Sequence, residues 1–118
     1  MNIDMLKASG IDYEDGLERF SGNSQLYEKY LTKFLDNHTY EEMRDAACGN
    51  DLRQAFELAH KLKAFLGNLS MSHFYEEIRS LTEEFRAGVR RDYKPDFAAL
   101  DPEYRKIKQA IRGNQDVQ

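Results

Sequence analysis

Residues 51–70, Asp51-Leu52-Arg53-Gln54-Ala55-Phe56-Glu57-Leu58-Ala59-His60-Lys61-Leu62-Lys63-Ala64-Phe65-Leu66-Gly67-Asn68-Leu69-Ser70, carry an apolar stripe at Leu52, Ala55, Phe56, Ala59, Leu62 and Leu66. Steps of three and four place those six positions on one side of an α-helix turning about 100° per residue. Asn50 or Asp51 is suited to cap its start. This stretch sets the class of the whole chain, because the same spacing recurs on both sides of it.

Downstream, Ser70 or Ser72 can cap a further segment, where Phe74, Ile78, Leu81 and Phe85 keep an i, i+4, i+7 stripe until Gly88. The charged stretch VRRDYKP, 89–95, reads as a loop. Phe97, Leu100, Tyr104, Ile107 and Ile111 then run in 3-4-3-4 steps, the spacing of a bundle seam. Pro102 conflicts with that stripe, since proline breaks or kinks a helix interior. Asp101-Pro102 could instead be an N-cap followed by proline at the first helical position. The expectation is a kinked or two-piece last helix.

Upstream, Gly49 is a good C′ residue for a helix whose start reads as a capping box, Thr39-x-x-Glu42. Asn37-His38-Thr39 separates it from an earlier segment with Leu26, Tyr30, Phe34 and Leu35 at helical spacing. Ser21-Gly22-Asn23-Ser24 in turn sets apart a short amphipathic piece, Tyr13 to Phe20.

Composition agrees. Val, Ile and Thr number two, five and three, so the β-branched residues that favour strands are scarce. Leu, Ala, Glu, Lys, Arg and Met dominate, and they lose little side-chain freedom in a helix. At 118 residues, 41% apolar, the chain supports one domain with a real core and is not a disordered polymer. The expected fold is all-α: an antiparallel up-down four-helix bundle with an additional short N-terminal helix. A single domain would span 1–118, with the core bundle about 24–112 and a frayed tail over 113–118. Seven Phe and seven Tyr supply much of the core volume, with many of the Tyr hydroxyls expected at the bundle edge.

Other classes fall away. Seventeen Lys+Arg against 21 Asp+Glu give a net charge of −4, which argues against a nucleic-acid surface. No apolar run reaches membrane-spanning length, and MNIDMLKASG has no stretch suited to a secretory signal. The single cysteine, Cys48, excludes an internal disulfide and is expected to be inert. A cytoplasmic protein is the expectation.

The chemistry lies on the flank of the helix over 51–69. On the wheel His60 stands roughly 105–110° from the apolar direction and Gly67 about 90° from it. Arg53, Glu57 and Ala64 lie further round. Lys63 falls between His60 and the core face, within reach of a group attached to the imidazole. Glycine in a helix costs about 1 kcal/mol relative to alanine, so small residues on a solvent-facing stripe need a reason. A recess for a second protein bringing in an anion is such a reason. An unperturbed imidazole, with a pKa near 6.5, is about three-quarters neutral at pH 7 and nucleophilic. A lysine beside it could hold phosphoryl oxygens by charge-assisted hydrogen bonds.

The run Ala59-His60-Lys61-Leu62-Lys63-Ala64-Phe65-Leu66-Gly67-Asn68-Leu69-Ser70 resembles the active segment of histidine-containing phosphotransfer (HPt) domains. Their usual pattern is His, any residue, Leu or Ile, Lys, Gly, then Gly three residues later and often again after six. Gly10-Ile11-Asp12 and Gly16-Leu17-x-Arg19-Phe20-x-Gly22 are also similar to the entry of single-domain HPt proteins, and the likeness covers about residues 9–112. It implies that His60 is the phosphoacceptor, that Lys63 steadies the phosphoryl group, and that Arg53, Glu57, Ala64 and Gly67 serve docking. Two positions depart from the pattern: Ala64 replaces the first glycine and Ser70 the last. The implied partner is a response-regulator receiver domain, with a hybrid histidine kinase as a further candidate. No cofactor is expected in this chain, because Mg²⁺ would sit in the partner. The chain would be a phosphocarrier without an ATP site of its own, not a stand-alone enzyme. The alternative is a non-catalytic adaptor or inhibitor that binds a receiver domain or histidine kinase through the same surface.

Glu57-x-x-His60 also matches half of a di-iron motif, but such sites need two copies and further inward carboxylates. No metal ligand is therefore assigned. His38 and His73 read as solvated residues, and Arg90-Arg91 as part of a solvated loop.

Overall fold

The computed structural model describes the backbone of residues 1–116 and the side chains of residues 1–113. All regular structure among them is helical: α1 (Ile3–Ala8), α2 (Tyr13–Arg19), α3 (Ser24–Phe34), α4 (Thr39–Cys48), α5 (Leu52–Asn68), α6 (Ser72–Arg86) and α7 (Lys94–Asp116). The all-α class is thus observed, with two short N-terminal helices where the sequence predicted one.

Asn and Asp start most of these helices. Asn2, Asp12, Asn23 and Asp51 each accept, on a side-chain oxygen, the backbone N–H three residues on. Five helices stop in a common way. Gly10, Ser21, Asn50, Ser70 and Gly88 have φ of 95°, 56°, 58°, 56° and 71°. At each, two N–H groups fold back onto the last turn, as when Ser70 donates to the Gly67 carbonyl and Met71 to that of Leu66. The left-handed residue therefore follows Gly49 instead of being Gly49, whose φ is −87°. Asn50 takes that role, because its short polar side chain tolerates the conformation.

Several predicted caps shift. Thr39 is the first helical residue of α4 and buried, so the capping box does not form; Asn37 Oδ1 accepts the Thr39 N–H instead. Met71, with no side-chain cap bond, begins α6, because Ser70 is committed to the preceding turn and Ser72 lies inside the helix.

The last helix runs unbroken through Pro102, so of the kinked or two-piece helix expected the two-piece form is not observed. The carbonyl that loses its partner belongs to Ala98, and both residues are exposed, so water can satisfy it. Asp101 does not cap; it accepts the Tyr40 hydroxyl at 2.6 Å and faces the Arg44 guanidinium at 3.4 Å. Helix α7 also begins inside the expected 89–95 loop and passes residue 113, where fraying was expected, as far as Asp116. Residues 117–118 of that expected tail lie outside the described residues.

Helices α5 and α6 run in opposite directions. Helix α5 packs between α4 and α6. The start of α6 lies by the end of α5, where Tyr75 approaches Gly67, while Arg86 at its far end lies over the Phe56 ring. Helix α7 descends along α4 and α3, with Asp101 bonded to Tyr40, Tyr104 to the Asn37 carbonyl and Lys108 to that of Leu35. One core collects buried residues from every helix, including Leu6, Ile11 and Tyr13. The N-terminal helices therefore contribute to it.

On α3 the buried face is Tyr27, Leu31 and Phe34, whereas Leu26 and Tyr30 are exposed. The stripe read from Leu26 and Tyr30 was one position out. Tyr27, Tyr40 and Tyr93 are among the largest fully buried side chains, tolerated because each hydroxyl donates to an acceptor: Leu69 O, Asp101 Oδ1 and Val89 O. Burial, then the Asp101 bond, holds the Tyr40 hydroxyl well above the usual phenol range, so it remains a donor.

Candidate functional site

Helix α5 buries Leu52, Ala55, Ala59, Leu62 and Leu66 and leaves His60 exposed, as the wheel required. The imidazole is not loose. Its ring stacks on Phe56, one turn earlier, with centroids 6.2 Å apart and planes 28° from parallel. Phe56 in turn lies under the Arg86 guanidinium, 5.3 Å from its ring centroid. The Glu57 carboxylate faces Arg53 at 3.9 Å. Both side chains are largely exposed, so that pair contributes little stability.

A surface depression of about 590 Å³ opens beside His60. Lys63, Ala64, Gly67 and Asn68 of α5 form one wall, Asp15 and Arg19 of α2 another, and Tyr75 and Glu76 of α6 a third. Lys63 is half-buried and Ala64 exposed. A methyl built on Gly67 would lie 3.6 Å from the Tyr75 ring, an ordinary contact. Packing inside the chain therefore does not demand glycine at this position, and its bare backbone keeps the depression open.

The rim is held by a short network. Asp15 Oδ2 accepts from Arg19 Nε at 2.9 Å and from the Ser70 hydroxyl at 2.7 Å. Those two donors, Arg19 first, keep the Asp15 carboxyl below its ordinary value. The Ser70 carbonyl accepts the Asp12 N–H at 2.8 Å, and Leu69 next to it accepts the Tyr27 hydroxyl at 2.7 Å. The end of α5 is thus pinned by α2 and α3. Ser70, in the place of the pattern's last glycine, adopts a left-handed conformation that glycine would enter at less cost.

Four of the six residues singled out by sequence, His60, Lys63, Ala64 and Gly67, share this depression. Arg53 and Glu57 do not line it and lie nearer the start of α5. Sequence reasoning missed Asp15, Arg19, Tyr75 and Glu76, and the Phe56 platform under the imidazole. Phe56 was legible in principle, being four residues before His60 on the same helix. Arg19 stood in the Gly16–Gly22 run without a site role, and the others, on separate helices, left no local signal. A larger depression of about 790 Å³, with Phe20, Leu26, Tyr30, Phe34 and Phe65 in its lining, shares Arg19 and Asn68 with the first. It is mainly apolar, and no histidine lines it.

No helix among the described residues is long and apolar enough to cross a membrane. Comparison with family models, with curated proteins and with solved structures finds no match for the chain.

Proposed function

We propose that the chain is an HPt-type phosphocarrier: it accepts a phosphoryl group on His60 from the aspartyl phosphate of a receiver domain and passes it on. In this reading α3 with α4, α5, α6 and α7 are the four arms of an up-down bundle, α1 and α2 are appended to it, and the protein works in the cytoplasm. The observation that carries the proposal is an exposed imidazole at the rim of a depression whose wall includes Lys63, Ala64 and Gly67.

The chemistry asks little of this chain. Neutral Nε2 attacks phosphorus in line; the N–P bond forms as the bond to the receiver's carboxylate oxygen breaks, and the carboxylate leaves with its electron pair. Lys63 draws charge from the equatorial oxygens, and Phe56 limits the swing of the ring. The partner's Mg²⁺ supplies the remaining charge neutralisation, so the chain needs no nucleotide site or cofactor of its own.

The test is incubation with receiver domains charged by acetyl phosphate. Acid-labile, base-stable label should appear on the wild-type chain and be absent from His60→Gln, with the helical circular-dichroism signal kept in both. Label that survives His60→Gln refutes the assignment. Receiver binding without any label would leave the adaptor reading in its place.

A further inference from the structure

On the α6–α7 face, His73 Nε2 lies 3.3 Å from Glu77 Oε1, one turn along α6, and 3.2 Å from Glu103 Oε1 on α7. All three donor atoms fall within 4.8 Å of one another. Glu77 Oε1 is shut off from solvent and accepts no hydrogen bond. Among the described residues, neither a lysine nor an arginine pairs with either glutamate, and His73 is the imidazole that faces both.

That arrangement is expensive as it stands. Two carboxylates crowd together, one with a buried orphan oxygen, around an imidazole that cannot fully satisfy both. It is a natural arrangement for a small divalent cation. A tetrahedral ion with bonds of about 2.0–2.2 Å to nitrogen and oxygen holds its ligand atoms about 3.3–3.6 Å apart. Two edges of the donor triangle are already close to that length, and the third is within 4.8 Å. One nitrogen and two oxygens make a borderline donor set, suited to zinc more than to calcium or magnesium.

We propose that His73, Glu77 and Glu103 form a zinc-type metal site that ties α6 to α7. It leaves a fourth position for water and lies on residues the phosphotransfer reading does not use. The start of α6 also carries Tyr75 and Glu76 into the wall of the His60 depression, so the ion would stiffen that wall.

Zinc chloride titrated into the metal-free full chain, followed by calorimetry, tests this directly. One equivalent should bind, and His73→Ala or Glu77→Gln should weaken binding roughly tenfold or more. His60→Gln should bind as the wild type does. Zinc should also raise the melting temperature of wild type and His60→Gln, but not of Glu77→Gln. No saturable binding, or binding unchanged in His73→Ala, overturns the proposal. Loss of binding in His60→Gln overturns it too, by placing the ion at the other imidazole. None of these results depends on whether His60 accepts phosphate.

Discussion

Two glycine-to-alanine substitutions should move stability in opposite directions. Gly16 lies in the middle of α2, directly under the fully buried Tyr27. A Cβ there would lie 2.6 Å from Tyr27 Cε2 and closer still to Cζ and the hydroxyl oxygen. Tyr27 cannot yield by moving into solvent, and shifting it breaks the hydroxyl bond to the Leu69 carbonyl. Overpacking costs about 1–3 kcal/mol and a lost buried hydrogen bond about 1–3 more, while alanine returns about 1 in helix propensity. Gly16→Ala should therefore lose about 3 kcal/mol. Gly67 is also helical, but its added methyl meets Tyr75 at an ordinary 3.6 Å. Only the propensity gain remains, so Gly67→Ala should gain about 0.5–1 kcal/mol. Urea denaturation followed by circular dichroism measures both. Gly67→Ala should at the same time slow phosphoryl acceptance, because the methyl enters the depression beside His60. A Gly16→Ala protein as stable as wild type would refute the packing argument. A more stable Gly67→Ala protein with undiminished transfer would show that the open backbone has no docking role.

Lys63→Ala should keep its fold and accept phosphate about tenfold more slowly or worse, read by the rate of label transfer from a charged receiver; an equal rate removes the lysine from the mechanism. Ala64→Gly should cost about 1 kcal/mol in a denaturation experiment while preserving or tightening receiver binding; a marked loss of binding contradicts the recess. Asp15, held below its ordinary value of 3.8 by Arg19 and then Ser70, contributes stability that is present above that value and lost as pH falls through its folded value. Asp15→Asn should flatten this limb of an acid unfolding curve, and an unaltered limb would mean that the tie from α2 to Ser70 is worth nothing.

The α6–α7 cluster explains why one histidine reading changed. His73 is exposed, as expected of a solvated residue, yet it stands between two glutamates 26 positions apart in the chain. Burial, reinforced by the facing Glu103 carboxylate, pushes Glu77 up to about 7. Nothing around Glu103 in the sequence points to residue 77, because α7 meets α6 only through tertiary contacts such as Tyr104 stacked on Phe74. The α3 stripe failed for a related reason. Leu26, Tyr27, Tyr30 and Leu31 offer two overlapping apolar faces, and Gly16 together with the Leu69 carbonyl selects the one that carries Tyr27.

The chain's own order of residues was enough to establish its helices, the exposure of His60 and the placing of Lys63, Ala64 and Gly67 along one flank. Those properties follow from a repeat of 3.6 residues, which is local and needs no partner. Packing alone brought Asp15 and Arg19 of α2 and Tyr75 of α6 around the imidazole. It also joined His73, Glu77 and Glu103. Each of these depends on the distance between elements. That distance is set by which side chains fill the shared core, and no repeat along a single helix records it.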